Sequence, residues 1–190
     1  MKLHPDFQEQ PWCRDILDDP QVQFVEAPTS DVVANGIPAT QGNERRVSNS
    51  MFVRTLYNAS SNAIRAQINF SRPVREPDAI TPDEYCYLLS IGDGLDGKTG
   101  RAHGGFNALI LDQMTGTTAS KVGGSFAPAT ARLEMDYAAP IDTPGIVLCR
   151  GWTVERSGRK TWVKAVIEDG KGRLLAKGRA LFIDPKNSKL

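Results

Sequence analysis

The residues best suited to chemistry are two glycines at the start of one predicted helix and a carboxylate about two turns further along it. Gly104 and Gly105 follow His103, and Asp112 comes seven residues after Gly105. Glycine lets a ligand approach the backbone closely. The first amides of a helix have no partner within it and lie at the positive end of its dipole. Such amides can polarise a carbonyl that becomes negative during attack, and the carboxylate can serve as nucleophile or base.

Taken singly, each of these features also has an ordinary structural explanation. The combination is more specific, because a carboxylate within an apolar helix is costly unless it is paired or used. The nucleophile motif of serine hydrolases is missing, since the sequence has no G-x-S-x-G. His4 is the only other histidine, so the count excludes a histidine-rich metal centre.

One helix and a series of strands must position these residues. From residue 105 to about residue 120 there is no proline, and apolar residues recur at helical spacing. The segment carries few charges, which predicts a helix wrapped by other elements. Strands are predicted at about residues 64–70, 84–91, 131–137, 146–155, 161–168 and 173–183. The last four are joined by short connections, which favour antiparallel neighbours.

This order of elements predicts an α+β domain in which one antiparallel sheet wraps around one long apolar helix. We assign residues 45–184 to this domain, with residues 45–72 as an extra N-terminal hairpin. Residues 1–44, which hold several prolines, are predicted to form an irregular arm with a short helix around residues 12–17. Residues 185–190 are predicted to form a C-terminal tail.

The composition narrows the class of protein further. The net charge of +1 gives no sign of a nucleic-acid partner. Cys13, Cys86 and Cys149 are too widely spaced for a zinc site or a disulfide scaffold. No apolar run reaches the length of about 18 residues that a membrane span needs, and the first residues do not read as a targeting signal. Residues 150–190 hold eleven basic against four acidic side chains, which suits an anionic ligand or a solvated sheet face.

The pattern His103-Gly104-Gly105, then six residues, then Asp112 resembles the signature of hotdog-fold acyl-coenzyme A thioesterases. The resemblance is to the phenylacetate-pathway type and to the thioesterase-superfamily-member group. Residues 129–140 look like the family's strand after the helix, and residues 169–178 look like its last hairpin. The resemblance covers roughly residues 84–183.

This resemblance implies the hydrolysis of an acyl- or aryl-coenzyme A thioester to free acid and coenzyme A, without a metal or cofactor. The amides of Gly104 and Gly105 are implied to polarise the thioester carbonyl. Asp112 is implied to be the nucleophile or the base that activates water, and Thr130 to hold that water. His103 is implied to orient the loop.

Substrate-binding residues are less sharply indicated. Some relatives carry an asparagine six residues before the histidine, where this chain has Gly97. Asn107 or the histidine itself then has to supply what that asparagine contributes. Arg156, Arg159 and Lys160 cluster at one predicted turn and are candidates for the coenzyme's phosphates, with a solvated turn as the alternative.

The resemblance also implies a homodimer or a dimer of dimers, in which the start of one subunit's helix meets the Asp-bearing helix of the other. Two other functions stay open at this point. A hotdog dehydratase or hydratase needs a different arrangement of histidine and acid. A non-catalytic acyl-coenzyme A-binding protein has no need of Asp112 and Thr130.

The sequence ends in Ser188-Lys189-Leu190. A C-terminal Ser-Lys-Leu is read by the peroxisomal import receptor. We therefore expect a peroxisomal location and this receptor as a partner, with the cytoplasm as the alternative.

Overall fold

The computed structural model describes residues 3–25, 56, 59–123 and 128–186. The helices are α1 (Pro5–Gln8), α2 (Pro11–Leu17) and α3 (Gly104–Gly123). The strands are β1 (Gln23–Val25), β2 (Ile64–Pro73), β3 (Asp83–Ile91), β4 (Asp96–Lys98), β5 (Arg101–Ala102), β6 (Ala129–Tyr137), β7 (Gly145–Ser157), β8 (Lys160–Glu168) and β9 (Leu174–Ile183). Short 3-10 turns lie at Ala59–Ser61 and Asp93–Leu95.

Seven of the strands form one antiparallel sheet in the order β1-β2-β3-β7-β8-β9-β6. The remaining two, β4 and β5, pair in a separate small hairpin just before α3. The tight turns after β7 and β8 contain Gly158 at φ +56° and Gly172 at φ +74°. Glycine adopts this left-handed conformation without the steric cost of a Cβ atom. The predicted antiparallel strands after the helix are confirmed.

α3 packs against the inner face of the sheet, mainly on β7 and β8. Its side chains Ile110, Leu111 and Met114 are fully buried, and burial of each contributes on the order of 1.5–3 kcal/mol. The helix lies very close to β7, because a Cβ atom on Gly151 would stand 2.9 Å from Cγ of Met114. The predicted fold, one sheet wrapped around one apolar helix, is confirmed.

The described part of the N-terminal arm packs on the other face of the sheet. Phe7 and Leu17, from α1 and α2, form a buried cluster with Ile68, Phe70 and Leu88 of β2 and β3. The helix expected around residues 12–17 is present as α2. Residues 3–25 are thus more regular than the predicted irregular arm. Residues 26–55, with the first strand of the predicted extra hairpin, lie outside the described residues.

A charged network lies at the centre of the sheet, around Arg150 of β7. Its guanidinium group contacts Glu76 at 2.6 Å, Glu84 at 3.1 Å and Glu168 at 2.9 Å. Burial alone lowers the pKa of Arg150, but the hydrogen bonds with Glu168 and the charge of Glu84 outweigh it, and the pKa is raised. Arg150 therefore stays charged, and its charge is paired with carboxylates of the same chain. It is one of the basic residues that made the C-terminal part a candidate for binding an anion.

Candidate active site

His103 stands immediately before α3 and holds the first turn of the helix. The Gly105 amide donates a hydrogen bond to Nδ1 of His103 at 2.9 Å, and the Phe106 amide donates to the His103 carbonyl at 2.9 Å. This is the capping arrangement that satisfies otherwise unpartnered amides at a helix start. The histidine side chain thus orients the loop. Because the Gly105 amide is occupied, it can reach a substrate carbonyl only if the imidazole turns away.

Gly104 packs under the aromatic ring of Tyr137. A Cβ atom at position 104 would stand 3.2 Å from Cε1 of Tyr137, and the Tyr137 hydroxyl donates to the Gly104 carbonyl at 3.2 Å. Tyr137 is 58% exposed. Sequence reasoning did not assign it to the site, and no pattern in the sequence marked it. In the described structure, no group accepts a hydrogen bond from the Gly104 amide.

Gly97 and Asp96 hold the β4–β5 hairpin in place, and Gly97 lies directly against His103. A Cβ atom on Gly97 would stand 2.9 Å from Cα of His103, so a side chain here requires the loop to shift. The asparagine that some relatives carry at this position therefore has no room in this loop. Asp96 accepts a hydrogen bond from the Gly100 amide at 2.9 Å and another from the Thr143 hydroxyl. Sequence reasoning missed Asp96, because its partner Thr143 is 47 residues away.

Asp112 and Thr130, both predicted from the resemblance, are brought together. The Thr130 hydroxyl donates to Oδ1 of Asp112 at 2.9 Å. The carboxylate is half-buried on α3, whereas Thr130 is exposed at the start of β6. The pair is therefore anchored to the fold and still reachable from solvent.

The helix start and the carboxylate lie apart within one chain. Asp112 comes seven residues after Gly105, which corresponds to about 10.5 Å along the axis of α3. A carbonyl carbon bound at the first turn cannot be reached from this carboxylate. One chain alone supplies both halves of the predicted site but does not join them.

Asn107 lies inside the fold and not at an open surface. It is 4% exposed, and no described residue makes a hydrogen bond with its side-chain oxygen. Its neighbours along α3, Phe106 and Ile110, belong to the main hydrophobic core. Its predicted contact with a substrate stays a prediction.

Arg156 holds the far end of α3, and Arg159 holds the segment that follows β9. The Arg156 guanidinium donates to the carbonyls of Val122 and Gly123, which end the helix, and Arg159 donates to the Asp184 carbonyl at 2.8 Å. Because α3 has 20 residues and is thus about 30 Å long, these arginines lie far from His103 of the same chain. Lys160 is exposed at the turn. The role of these three residues in phosphate binding stays a prediction, and two of them already serve the fold.

A cavity of about 390 Å³ opens beside the start of α3. It is lined by Gly97, Lys98, Arg101, Ala102, His103, Gly104 and Pro140.

Within the described residues, no group of histidine, cysteine and acidic side chains is placed to hold a metal ion. None of the helices that the structure describes has the length and hydropathy of a membrane span.

The three cysteines are buried and unsuited to nucleophilic chemistry. Burial raises the pKa of the Cys13 thiol to about 12 and raises the pKa of Cys86 and Cys149 as well. A thiol attacks a carbonyl as the thiolate, which these surroundings disfavour. Asp112 is therefore a better candidate for attack on a carbonyl than any of the cysteines.

Comparison with known proteins gives a family match over this part of the chain. Residues 99–176, which include the helix start and Asp112, match the family model described as the thioesterase superfamily. The mouse protein acyl-coenzyme A thioesterase THEM4 is 35% identical over 102 residues. That match covers 52% of this chain and 43% of the mouse protein, so the chain spans less than half the length of this curated relative.

Two solved structures resemble the chain in fold. A Streptococcus mutans protein bound to acetyl coenzyme A aligns with a TM-score of 0.50 and 18% identity, over 54% of this chain and 81% of that one. A putative esterase from Mycobacterium tuberculosis aligns with a TM-score of 0.51 and 19% identity, over 55% of this chain and 86% of that one. The sheet wrapped around α3 has the hotdog fold that the resemblance of the His-Gly-Gly segment implied, and residues 99–176 match the thioesterase-superfamily model within it.

Proposed function

We propose that the protein hydrolyses an acyl- or aryl-coenzyme A thioester to the free acid and coenzyme A. The observation that carries the proposal is the hydrogen bond from Thr130 of β6 to Asp112 of α3, the helix that begins at Gly104 directly after His103. The mouse relative named as an acyl-coenzyme A thioesterase supports the reaction. The streptococcal structure with bound acetyl coenzyme A supports the class of ligand.

The chemistry needs only groups that this chain and water provide. In the general-base route, a water molecule held by Thr130 gives a proton to Asp112 while its oxygen attacks the thioester carbon. The carbonyl oxygen becomes negative and is stabilised by the Gly104 amide, which has no acceptor in the described structure. The carbon–sulfur bond then breaks, and the departing thiolate takes up a proton. In the alternative route, the Asp112 carboxylate attacks the thioester carbon, and the carbon–sulfur bond breaks to give an Asp112 anhydride and the coenzyme A thiolate. Water then hydrolyses the anhydride to the free acid and restores the carboxylate.

The proposed active unit is a homodimer or a dimer of dimers. The separation of about 10.5 Å between the first turn of α3 and Asp112 supports this, because a second chain can supply the missing half of each site. The free edge of the sheet also supports it. β6, which carries Thr130, is the last strand of the sheet, and no described strand pairs with its outer edge. An unpaired edge of this kind is usually covered or paired in a native protein.

The experiment that tests the proposed function measures free thiol released from a panel of coenzyme A thioesters, with acetyl, medium-chain, long-chain and aryl groups. Turnover of at least one thioester to acid and thiol is the expected result. Tight binding of the panel without release of thiol indicates a non-catalytic binding protein. Addition or removal of water in the acyl chain, with the thioester intact, indicates a hydratase or dehydratase. Either result overturns the proposal.

The peroxisomal location stays a prediction, because residues 187–190 lie outside the described residues. In a eukaryotic cell with working import, protein tagged at its N-terminus should colocalise with a peroxisomal marker. Removal of Leu190 should disperse it into the cytosol. A diffuse signal from the intact sequence contradicts the prediction.

A further inference from the structure

Two positive charges stand directly opposite each other on the β4–β5 hairpin. Lys98 of β4 is paired in register with Arg101 of β5, and both residues are exposed. Like charges directly opposite on paired strands destabilise the pairing. In the part of the chain that the structure describes, neither side chain forms a salt bridge with a carboxylate. This arrangement costs stability and calls for an anion outside the chain.

The nearest acidic residues do not neutralise the pair. The carboxylate of Asp96 is directed inward to the Gly100 amide and the Thr143 hydroxyl. Asp142 meets Arg101 through a backbone bridge, and its side chain makes no salt bridge with Arg101 in the described structure. The local charge on the outside of the hairpin is therefore positive.

The hairpin that carries the two cations is held rigidly on the domain. The Ala102 amide donates to the Ile141 carbonyl at 2.9 Å, and the His103 amide donates to the Leu95 carbonyl at 2.7 Å. At the tip, the Thr143 amide donates to the Gly100 carbonyl at 3.1 Å. The backbone that carries the two cations is thus already ordered, so binding of an anion costs little backbone conformational entropy.

The two cationic residues line the same cavity as the first turn of α3. Lys98, Arg101, His103 and Gly104 all line the cavity of about 390 Å³, and none of its seven lining residues is acidic. A strand rises about 3.3 Å per residue, so the backbone of the pair lies about 7 Å beyond His103. The long side chains extend this reach. Cations at this distance suit a ligand whose anionic part is separated by a linker from the group bound at Gly104.

We propose that Lys98 and Arg101 bind the phosphate groups of coenzyme A while the thioester lies at the start of α3. The assignment rests on the proposed function. A coenzyme A thioester has this form, because the pantetheine arm separates its thioester from its phosphates. In this assignment the hairpin takes the role that the sequence suggested for Arg156 and Arg159, whose guanidinium groups hold the end of α3 and Asp184.

The test compares two substrates that share one acyl group: the coenzyme A thioester and the pantetheine thioester, which lacks the nucleotide phosphates. For the Lys98→Ala/Arg101→Ala variant, KM for the coenzyme A thioester should rise about tenfold or more, because two charge-assisted contacts are lost. Its kcat should stay within about twofold, and its kinetics on the pantetheine thioester should match the wild type. The rise of KM with ionic strength should be weaker than in the wild type.

A matched control removes one lysine and one arginine from the other exposed turn. Lys171→Ala/Arg173→Ala changes the net charge equally, on the turn between β8 and β9. It should leave KM for both substrates unchanged. Equal effects of the two double variants, or equal effects of the hairpin variant on both substrates, overturn the proposal.

Direct binding separates this proposal from the proposed function. Calorimetric titration with coenzyme A needs no turnover. If no thioester is hydrolysed but coenzyme A binds to the wild type and about tenfold more weakly to the hairpin variant, the phosphate site stands and the hydrolase does not. If hydrolysis is seen and the hairpin variant binds coenzyme A as tightly as the wild type, the phosphate site is refuted and the hydrolase stands. If coenzyme A does not bind to the wild type at all, the phosphate site is refuted, and release of thiol from the thioester panel alone decides the hydrolase.

Discussion

The substitution Gly104→Pro isolates one backbone amide. Proline has no N–H, so this variant removes the donor that is expected to stabilise the negative carbonyl oxygen. Position 104 is the first residue of α3, and proline is well tolerated at the first position of a helix. Gly104 does not have a positive φ, so the restricted φ of proline fits the backbone. The helix should therefore form normally.

Steric effects of the substitution need their own control, which is Gly104→Ala. Any Cβ atom at this position stands 3.2 Å from Cε1 of Tyr137, so the ring must shift by a few tenths of an ångström in both variants. Alanine keeps the amide N–H, and proline does not. The difference between the two variants therefore excludes the Cβ contact and reports on the replacement of the N–H by the proline ring.

The expected magnitude follows from the single donor that is lost. Removal of one oxyanion donor costs about 10²–10³ in kcat. Because the Gly105 amide is bonded to His103, no neighbouring amide is free to replace it. The assay is release of thiol under saturating acyl-coenzyme A, with circular dichroism to verify the fold. If Gly104→Pro and Gly104→Ala have the same kcat within about threefold, the Gly104 amide is not the oxyanion donor.

Two further predictions address the assembly and the arm. An equal mixture of inactive Asp112→Asn and Gly104→Pro chains, allowed to exchange subunits, should regain about a quarter of the wild-type activity, because half of the dimers then hold one intact site out of two. No gain over the separate variants contradicts a shared site. In urea unfolding, Phe7→Ala should lower stability by about 3–5 kcal/mol, because Phe7 is 1% exposed. Phe24→Ala, at a residue 54% exposed, should cost under about 0.5 kcal/mol. Equal costs for both variants would show that the arm is not part of the core.

The strands and the long helix could be predicted because local patterns determine them. Helical spacing in α3 reflects which side of the helix is buried, and the structure confirms the helix and the strands that follow it. The turns after β7 and β8 are marked by Gly158 and Gly172, whose positive φ angles explain the glycines. Local sequence patterns are therefore sufficient to predict these elements.

The contacts of the N-terminal arm could not be predicted, because they join residues far apart in sequence. Phe7 packs with Ile68 and Leu88 across the outer face of the sheet. The proline-rich composition of residues 1–44 gave no periodicity that would mark such a face. The apolar residues of β2 and β3 on the outer face indicate that some segment must cover it, but they do not indicate which one.

The chemistry of the site could be predicted only in part, for the same reason. Asp112 and Thr130 are 18 residues apart, and the resemblance rather than any spacing rule indicated their pairing. The inward role of Asp96 and the position of Tyr137 over Gly104 depend on how loops pack in three dimensions. Arg156 and Arg159 cluster in sequence, and the structure shows their contacts within the fold, which the sequence did not predict.

Release of free thiol from an acyl-coenzyme A by Asp112→Asn tests the central claim most directly. The substitution keeps the size and most hydrogen-bonding capacity of the side chain and removes the base or nucleophile. Asp136→Asn, which changes a carboxylate with a 73% exposed side chain on β6, is the matched control. We predict that Asp112→Asn lowers kcat by about 10²–10⁴ with an unchanged fold, while Asp136→Asn retains activity. A folded Asp112→Asn protein with the kcat of the wild type would contradict the assignment of this carboxylate.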